Sequence, residues 1–181
     1  VVMATSMVTG GTSGIGREFV TQLASRGDDI VIVARDTTRM AQIKKQIEAR
    51  YGVPREIVLA VWGMESNFGA NRGKMQIIPS LATLAFDGRR AGMFQEQLIA
   101  ALKIIERGDL TPDEMIGSWA GELGQTQFLP THYFNYAVDY DGDGHRNLLA
   151  SGPDVIGSTA NYIANGLKWR RGEPWLQEVR V

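Results

Sequence analysis

The alternation of apolar and polar positions divides the chain near Tyr51-Gly52. Met3 to Val8 is of strand length and leads into a glycine-rich turn. Ile15, Phe19, Val20, Leu23 and Ala24 then share one helical stripe that ends at Gly27. Ile30-Val31-Ile32-Val33-Ala34 is an unbroken apolar run, the pattern of a strand covered on both faces. Asp36 or Thr37 caps a polar helix reaching to about Arg50. Residues 1–50 therefore read as a β-α-β-α unit.

From Pro54 onward the period is helical. Ile57, Val58, Ala60, Val61 and Met64 fit a buried helix, and Phe94, Leu98, Ile99, Leu102 and Ile105 form an amphipathic stripe. Thr111-Pro112-Asp113-Glu114 combines a cap, a proline at the first position and a capping-box glutamate, which predicts a helix start. Pro130 and Pro153 are expected to open two more helices. No strand is expected after residue 52, and there is no repeat or low-complexity tract.

Composition narrows the class. Of 181 residues, 44% are hydrophobic and 22% charged, the balance of a globular protein. Nineteen Lys+Arg against twenty Asp+Glu leave a net charge of -1, so no nucleic-acid partner is expected. No apolar run reaches the roughly 20 residues that span a bilayer. The absence of cysteine excludes disulfides, zinc-thiolate sites and thiol catalysis. Val1 to Gly16 lacks a basic start and its apolar residues are interrupted, so no signal peptide is expected in this chain.

Thr9-Gly10-Gly11-Thr12-Ser13-Gly14-Ile15-Gly16 joins the first strand to a helix. Glycines there let a backbone approach a pyrophosphate, and a helix N-terminus adds N–H donors. The G-x-x-x-G-x-G spacing resembles the short-chain dehydrogenase/reductase family. That resemblance implies cofactor contacts from Gly10, Gly14 and Gly16, with Arg35 placed for the 2′-phosphate of NADP. The family's Tyr-x-x-x-Lys pair is absent and two strands make too little sheet for a nucleotide crevice. NADP binding is accordingly not expected, and an NADP-dependent oxidoreductase is the alternative reading.

Val61-Trp62-Gly63-Met64-Glu65-Ser66-Asn67-Phe68-Gly69 ends an apolar helix and holds one carboxylate between two aromatics. Burial beside aromatics disfavours the charged form and suits a general acid. GVPREIVLAVWGMESNFG, FDGRRAGMFQEQLIAALKII, GSWAGELGQTQFLPTHYFNYAVDYDGDGHRN and PDVIGSTANYI follow one another in order. With them the chain from about 51 to 181 resembles the lytic murein transglycosylase B family. The resemblance implies a lysozyme-like core, Glu65 as catalytic acid, cleft residues Ser118, Gln127 and Tyr162, and substrate-contacting Arg89 and Arg90. Taken by themselves, Ser118 also fits helix packing, Gln127 a turn, Tyr162 a core aromatic and the arginines a solvated surface.

The reaction the family implies is cleavage of the β-1,4 bond between N-acetylmuramic acid and N-acetylglucosamine in peptidoglycan. One carboxyl acts first as acid and then as base, and the muramoyl C6 hydroxyl closes a 1,6-anhydro ring. A non-catalytic glycan-binding module is a further alternative. Periplasm or cell envelope is the compartment implied, and a monomer is expected.

Asp139-Tyr140-Asp141-Gly142-Asp143-Gly144-His145 reads D-x-D-x-D-G, carboxylates alternating through a glycine turn as in the first half of an EF-hand. Asp139, Asp141 and Asp143 are candidate ligands for a structural Ca2+. Position twelve is Ala150 instead of Glu. The family resemblance implies that Asp154 closes the loop, with the His145 carbonyl as a further ligand.

The expected fold is α+β and mostly helical: a lysozyme-like transglycosylase core, 51–181, preceded by a partial Rossmann-like β-α-β-α unit, 1–50. Ala49 to Val53 fits both families, so the chain has the look of a chimera. It ends at Val181, before a C-terminal segment that walls the cleft in the family, and an activity lost through truncation is one expectation.

Overall fold

The structure, a computed structural model, describes residues 5–9, 29–33, 45–46 and 48–172. The chain forms two compact units, Val1–Lys44 and Lys45–Val181. In the first, β1 (Thr5–Thr9) and β2 (Asp29–Val33) pair in parallel, with Thr5 opposite Asp29 and Thr9 opposite Val33. The predicted stripe from Ile15 to Ala24 and the caps at Asp36 or Thr37 lie outside the described residues.

The second unit is helical. α1 is Arg55–Ser66, α2 Ile77–Phe86, α3 Ala91–Glu106, α4 Pro130–Tyr136 and α5 Gly152–Asn161, which continues into one π-turn, Tyr162–Gly166. Proline stands in the first turn of α4 and α5, where the missing N–H costs nothing and the fixed φ suits a helix. The Ser151 side chain caps α5 by accepting from the Asp154 amide. α2 packs on α3 and α3 on α4. The core gathers Ile77, Leu81, Ile104, Met115, Leu123, Tyr133, Leu148 and Val155, all fully buried.

Several expectations are corrected. Two short strands do follow residue 52: β3 (Met75–Gln76) and β4 (Ile116–Gly117), paired antiparallel, with single bridges from Gly117 to Leu123 and from Leu123 to Phe128. The capping box at Thr111 is present, but it opens only one 3₁₀ turn, Pro112–Glu114, before β4 begins. The helix stops because Met115 and Ile116 are drawn into the ladder, where the Met115 carbonyl accepts from the Ile77 amide at 2.9 Å. α3 forms where predicted, but it buries Gln97, Ala100, Ala101 and Ile104, leaving Ile99 and Leu102 half exposed. On α1, Val58 is buried whereas Met64 is 85% exposed.

Glycine permits a close backbone crossing at Gly73 and Gly117. A Cβ on Gly73 (φ +87°) would lie 2.0 Å from the Gly117 carbonyl oxygen, and a Cβ on Gly117 would lie 2.0 Å from that of Glu122. Among the described residues no helix is long and apolar enough to cross a membrane.

Candidate functional site

Glu65 stands one residue before the end of α1. The helix closes with two consecutive left-handed residues, Asn67 (φ 51°) and Phe68 (φ 56°), whose amides return to the carbonyls of Gly63 and Trp62. This is Schellman-type closure. Asn tolerates that conformation, but Phe does not do so readily, so the turn carries backbone strain beside the carboxylate. Trp62 meets Phe68 edge-on at 5.7 Å. The turn is anchored from below: the Ser66 hydroxyl, buried, donates to the Gln125 carbonyl at 2.5 Å and accepts from the Gly69 amide at 2.8 Å. Trp62 Nε1 donates to Gln125 Oε1 at 2.9 Å, and Gln125 Nε2 donates to the Leu149 carbonyl at 2.9 Å.

The aromatic enclosure expected around Glu65 is not formed. Glu65 is exposed, and Phe68 is 58% exposed. The reason is geometric: Trp62 turns its indole N–H inward to Gln125 instead of covering the carboxylate, and Glu65 lies at the edge of the buried helix face. The result is an open shelf.

Ser118 and Gln127 sit on the segment that anchors this shelf. Ser118 is half-buried and committed to its own turn: Oγ donates to Glu122 Oε2 at 3.1 Å and accepts from the amides of Ala120 and Glu122, each at 3.2 Å. Gln127 is left-handed (φ 49°), and its Nε2 donates to the carbonyls of Gly124 at 2.9 Å and Arg72 at 3.4 Å. Its donors are therefore engaged, while Oε1 remains an acceptor. Trp119, 69% exposed on the Ser118 turn, offers an indole face that sequence reasoning did not single out.

Tyr162 belongs to an aromatic group. Its ring stacks on His132 at 4.7 Å and lies 5.1 Å from Phe128 and 5.2 Å from Tyr136. Burial pushes its phenol upward, and Tyr136 adds to the rise, so the hydroxyl stays neutral. Burial also lowers the His132 imidazole below its ordinary value. His132 was missed because a lone histidine in a helix start carries no chemical spacing. Arg89 and Arg90 stand in the turn between α2 and α3. The Arg89 side chain is 93% exposed and lies 3.6 Å from Asp87, and Arg90 is left-handed (φ 58°) at the N-cap of α3. Among the described residues, no hydrogen bond or ion pair joins either arginine to Ser118, Gln127 or Tyr162.

The acidic loop converges. One carboxylate oxygen from each of Asp139, Asp141 and Asp143 lies within 4.8 Å of the others. Oxygen ligands sit about 2.3–2.6 Å from Ca2+, so a shared ion fits this spacing. Asp139 shapes the loop, accepting from the amides of Gly142, Asp143 and Gly144 at 2.7, 3.1 and 2.9 Å. Desolvation pushes its carboxyl up, but those amides and Arg146 prevail and hold it below the usual range. Asp154 stands outside the cluster. It is fully buried, with Oδ1 accepting from the amides of Tyr140 (2.7 Å) and Asp141 (3.4 Å), and Oδ2 from Asn147 (2.8 Å). Burial raises its carboxyl; the Asn147 and Tyr140 amides oppose the rise and the Asp141 charge adds to it. Asp154 thus closes the loop through backbone amides. The His145 ring contacts the Gly108 carbonyl at 3.0 Å. Buried Asp109 accepts from Arg107 at 2.5 Å and Arg146 at 3.2 Å, tying the loop to the end of α3.

Gly10, Gly14, Gly16 and Arg35 lie outside the described residues.

Comparison with known proteins adds the family. The family described as Transglycosylase SLT domain matches residues 29–181. Membrane-bound lytic murein transglycosylase B of Escherichia coli (strain K12) is 43% identical over 125 residues, 68% of this chain and 34% of that protein. SltB3 from Pseudomonas aeruginosa, solved in complex with NAG-NAM-pentapeptide, superposes with a TM-score of 0.71 at 50% identity, covering 76% of this chain and 37% of that one. Escherichia coli Slt35, solved in complex with calcium, gives a TM-score of 0.70 at 38% identity, covering 76% and 44%. This chain thus spans about a third of the length of the first two of these relatives. Very-long-chain 3-oxoacyl-CoA reductase of Eremothecium gossypii matches a shorter stretch, 35% identical over 63 residues, 35% of this chain and 18% of that protein. The helical unit has the lysozyme-like transglycosylase fold, and the chain belongs to the transglycosylase SLT domain family.

Proposed function

We propose that this chain carries a peptidoglycan lytic transglycosylase activity with Glu65 as its acid and base. The observation that supports it most is the exposed Glu65 at the strained end of α1, anchored by Ser66 and Trp62 to the segment bearing Ser118 and Gln127. Glu65 donates its proton to the glycosidic oxygen as the bond to muramoyl C1 breaks. The carboxylate then takes the proton from the C6 hydroxyl, and O6 bonds to C1. The proton is returned to Glu65 and the product is a 1,6-anhydromuramoyl end. Attack within one sugar needs no activated water, because the nucleophile is already adjacent. Phe68 and Trp119 offer apolar faces to sugar rings, while Gln127 Oε1 and the Tyr162 hydroxyl supply polar contacts. Arg89 and Arg90 are positioned on the surface for anionic parts of the substrate.

The test is digestion of purified sacculi by the full chain, read by mass spectrometry. Anhydro-muropeptides are expected. Binding to sacculi without soluble anhydro products would favour a glycan-binding module.

Asp139, Asp141 and Asp143 are proposed to hold a structural Ca2+, with the His145 carbonyl as a further ligand; its part is to stiffen the loop tied to α3 and α5. Asp154 is proposed to act as the buried clasp of that loop instead of as a ligand. The chain is proposed to act on glycan strands in the cell envelope, as a monomer, with a division near Tyr51 between an appended unit and the transglycosylase core. The short reductase match supports the reading of residues 1–50 as a fragment of dehydrogenase type, for which no cofactor is proposed.

A further inference from the structure

Gln125 stands in a tight loop. Leu123 and Phe128 close that loop by exchanging bonds, each amide donating to the other's carbonyl at 2.9 Å. Gly124 (φ +82°) lets the loop press on the next segment: a Cβ there would lie 2.9 Å from that of Leu148. In this position every polar group of Gln125 is engaged. Its backbone amide donates to the Leu148 carbonyl and its Nε2 to the Leu149 carbonyl, each at 2.9 Å. Its backbone carbonyl accepts from Ser66 Oγ at 2.5 Å, and its Oε1 accepts from Trp62 Nε1 at 2.9 Å. An indole N–H only donates and a carbonyl only accepts, so one orientation of the side-chain amide serves both partners.

These bonds join two bodies. One is the loop with Leu148-Leu149, and Arg72 holds it again, its guanidinium donating to the Leu149 carbonyl. The other is the end of α1, from Trp62 to Gly69. Gly69 (φ +88°) comes so close that a Cβ on it would lie 2.3 Å from Gln125 Oε1. A left-handed Phe68 persists only where its surroundings hold it. Among the described residues no hydrogen bond or ion pair reaches the Glu65 carboxylate. Its place is therefore inherited from the backbone around it. The side-chain hydrogen bonds that tie this stretch to another segment, from Trp62 and from Ser66, both end on Gln125.

We propose that Gln125 is a positioning residue for Glu65: it pins the end of α1 to the 148–149 segment and so sets where the carboxyl meets the glycosidic oxygen. The kinetic half of this rests on the lytic reading above; the anchoring does not.

The experiment compares the full chain with Gln125→Met, which keeps the side-chain length but has neither amide donor nor amide acceptor, and with Trp62→Phe, which removes the indole donor alone. Turnover of solubilised peptidoglycan is measured below the Tm of every variant, so loss of folded protein does not enter. Gln125→Met should lower kcat about ten- to hundredfold, the effect of misplacing a reacting group, with KM within about twofold. Trp62→Phe should lower kcat by a smaller factor. Adding it to Gln125→Met should change kcat less than about twofold, because the bond it removes has already gone. Hydrogen exchange supplies a readout without turnover. The amides of Asn67, Phe68 and Gly69 should exchange at least about tenfold faster in Gln125→Met, while that of Tyr133, bonded to the Leu129 carbonyl within the core, stays within about twofold. Unchanged kcat, a rise in KM alone, or unchanged exchange at residues 67–69 overturns the proposal. If Gln125→Met does not fold, Trp62→Phe decides by the same two readouts. If the unaltered chain releases no anhydro-muropeptides, the lytic reading fails and exchange alone decides the anchoring.

Discussion

Glu65 illustrates how a side chain can be placed without being enclosed. Its neighbours Trp62 and Ser66 point into the protein and its own carboxylate points out. An exposed side chain tolerates an isosteric change within about 0.5 kcal/mol. Glu65→Gln is therefore expected to fold and melt like the unaltered chain while releasing no anhydro-muropeptides, because the amide cannot donate an acidic proton. Substantial residual release would reject the single-acid assignment. His132 gives a second residue-level expectation. Burial lowers its folded pKa, so its contribution to stability is present above the unfolded value near 6.5 and is lost as pH falls through the folded value. Urea midpoints between pH 7.5 and 5 should fall for the unaltered chain and fall less for His132→Phe, which keeps a ring against Tyr162. Equal slopes would mean that His132 does not contribute to the fall.

At the scale of elements, what was legible in the sequence depended on whether the signal was local. α4 and α5 begin in the turns marked by Pro130 and Pro153, because proline fixes its own φ wherever it stands. β3 and β4 gave no signal because two residues cannot display a period of two, and their pairing is set by core residues distant in sequence. α2 carries no side-chain cap, and its one marker, Pro79, stands in the first turn, where proline is tolerated. The site shows the same division. Glu65 and the three aspartates stand in recognisable words, whereas the roles of Ser66, Gln125 and Asp109 depend on partners far along the chain. Gly73 tests the crossing these elements make. Gly73→Ala should cost about 2–5 kcal/mol, combining a disfavoured φ with a backbone clash. Gly88→Ala, with a similar φ and nothing within 4 Å, should cost only about 1–2 kcal/mol. Equal losses in urea denaturation would mean that the crossing relaxes freely.

For the whole molecule, the two predictions concern what each unit binds. If Ca2+ occupies the acidic loop at a hundred times its Kd, mass action adds about 2.7 kcal/mol. For a chain of this size that is roughly 5–10 °C in Tm. Asp141→Asn with Asp143→Asn should abolish the shift; a calcium-insensitive unaltered chain would reduce the loop to a turn. Titration with NADP(H) is expected to give no saturable heat, since among the described residues of the first unit only two strands pair, with no reversal of strand order between them. Micromolar binding lost in Gly14→Val would reverse that expectation.

The clasp made by Asp154 has a kinetic consequence. Because the amides of Tyr140 and Asn147 are held on a fully buried carboxylate of α5, the loop has its shape before any ion arrives. The deuterium uptake of those two amides should accordingly be slow even in a chelator, whereas the amide of Ala91, bonded only to the Gly88 carbonyl at 3.4 Å in an exposed turn, should exchange quickly. Filling the loop would then be an encounter with a ready-made cradle, its rate set by diffusion and by shedding water from the ion.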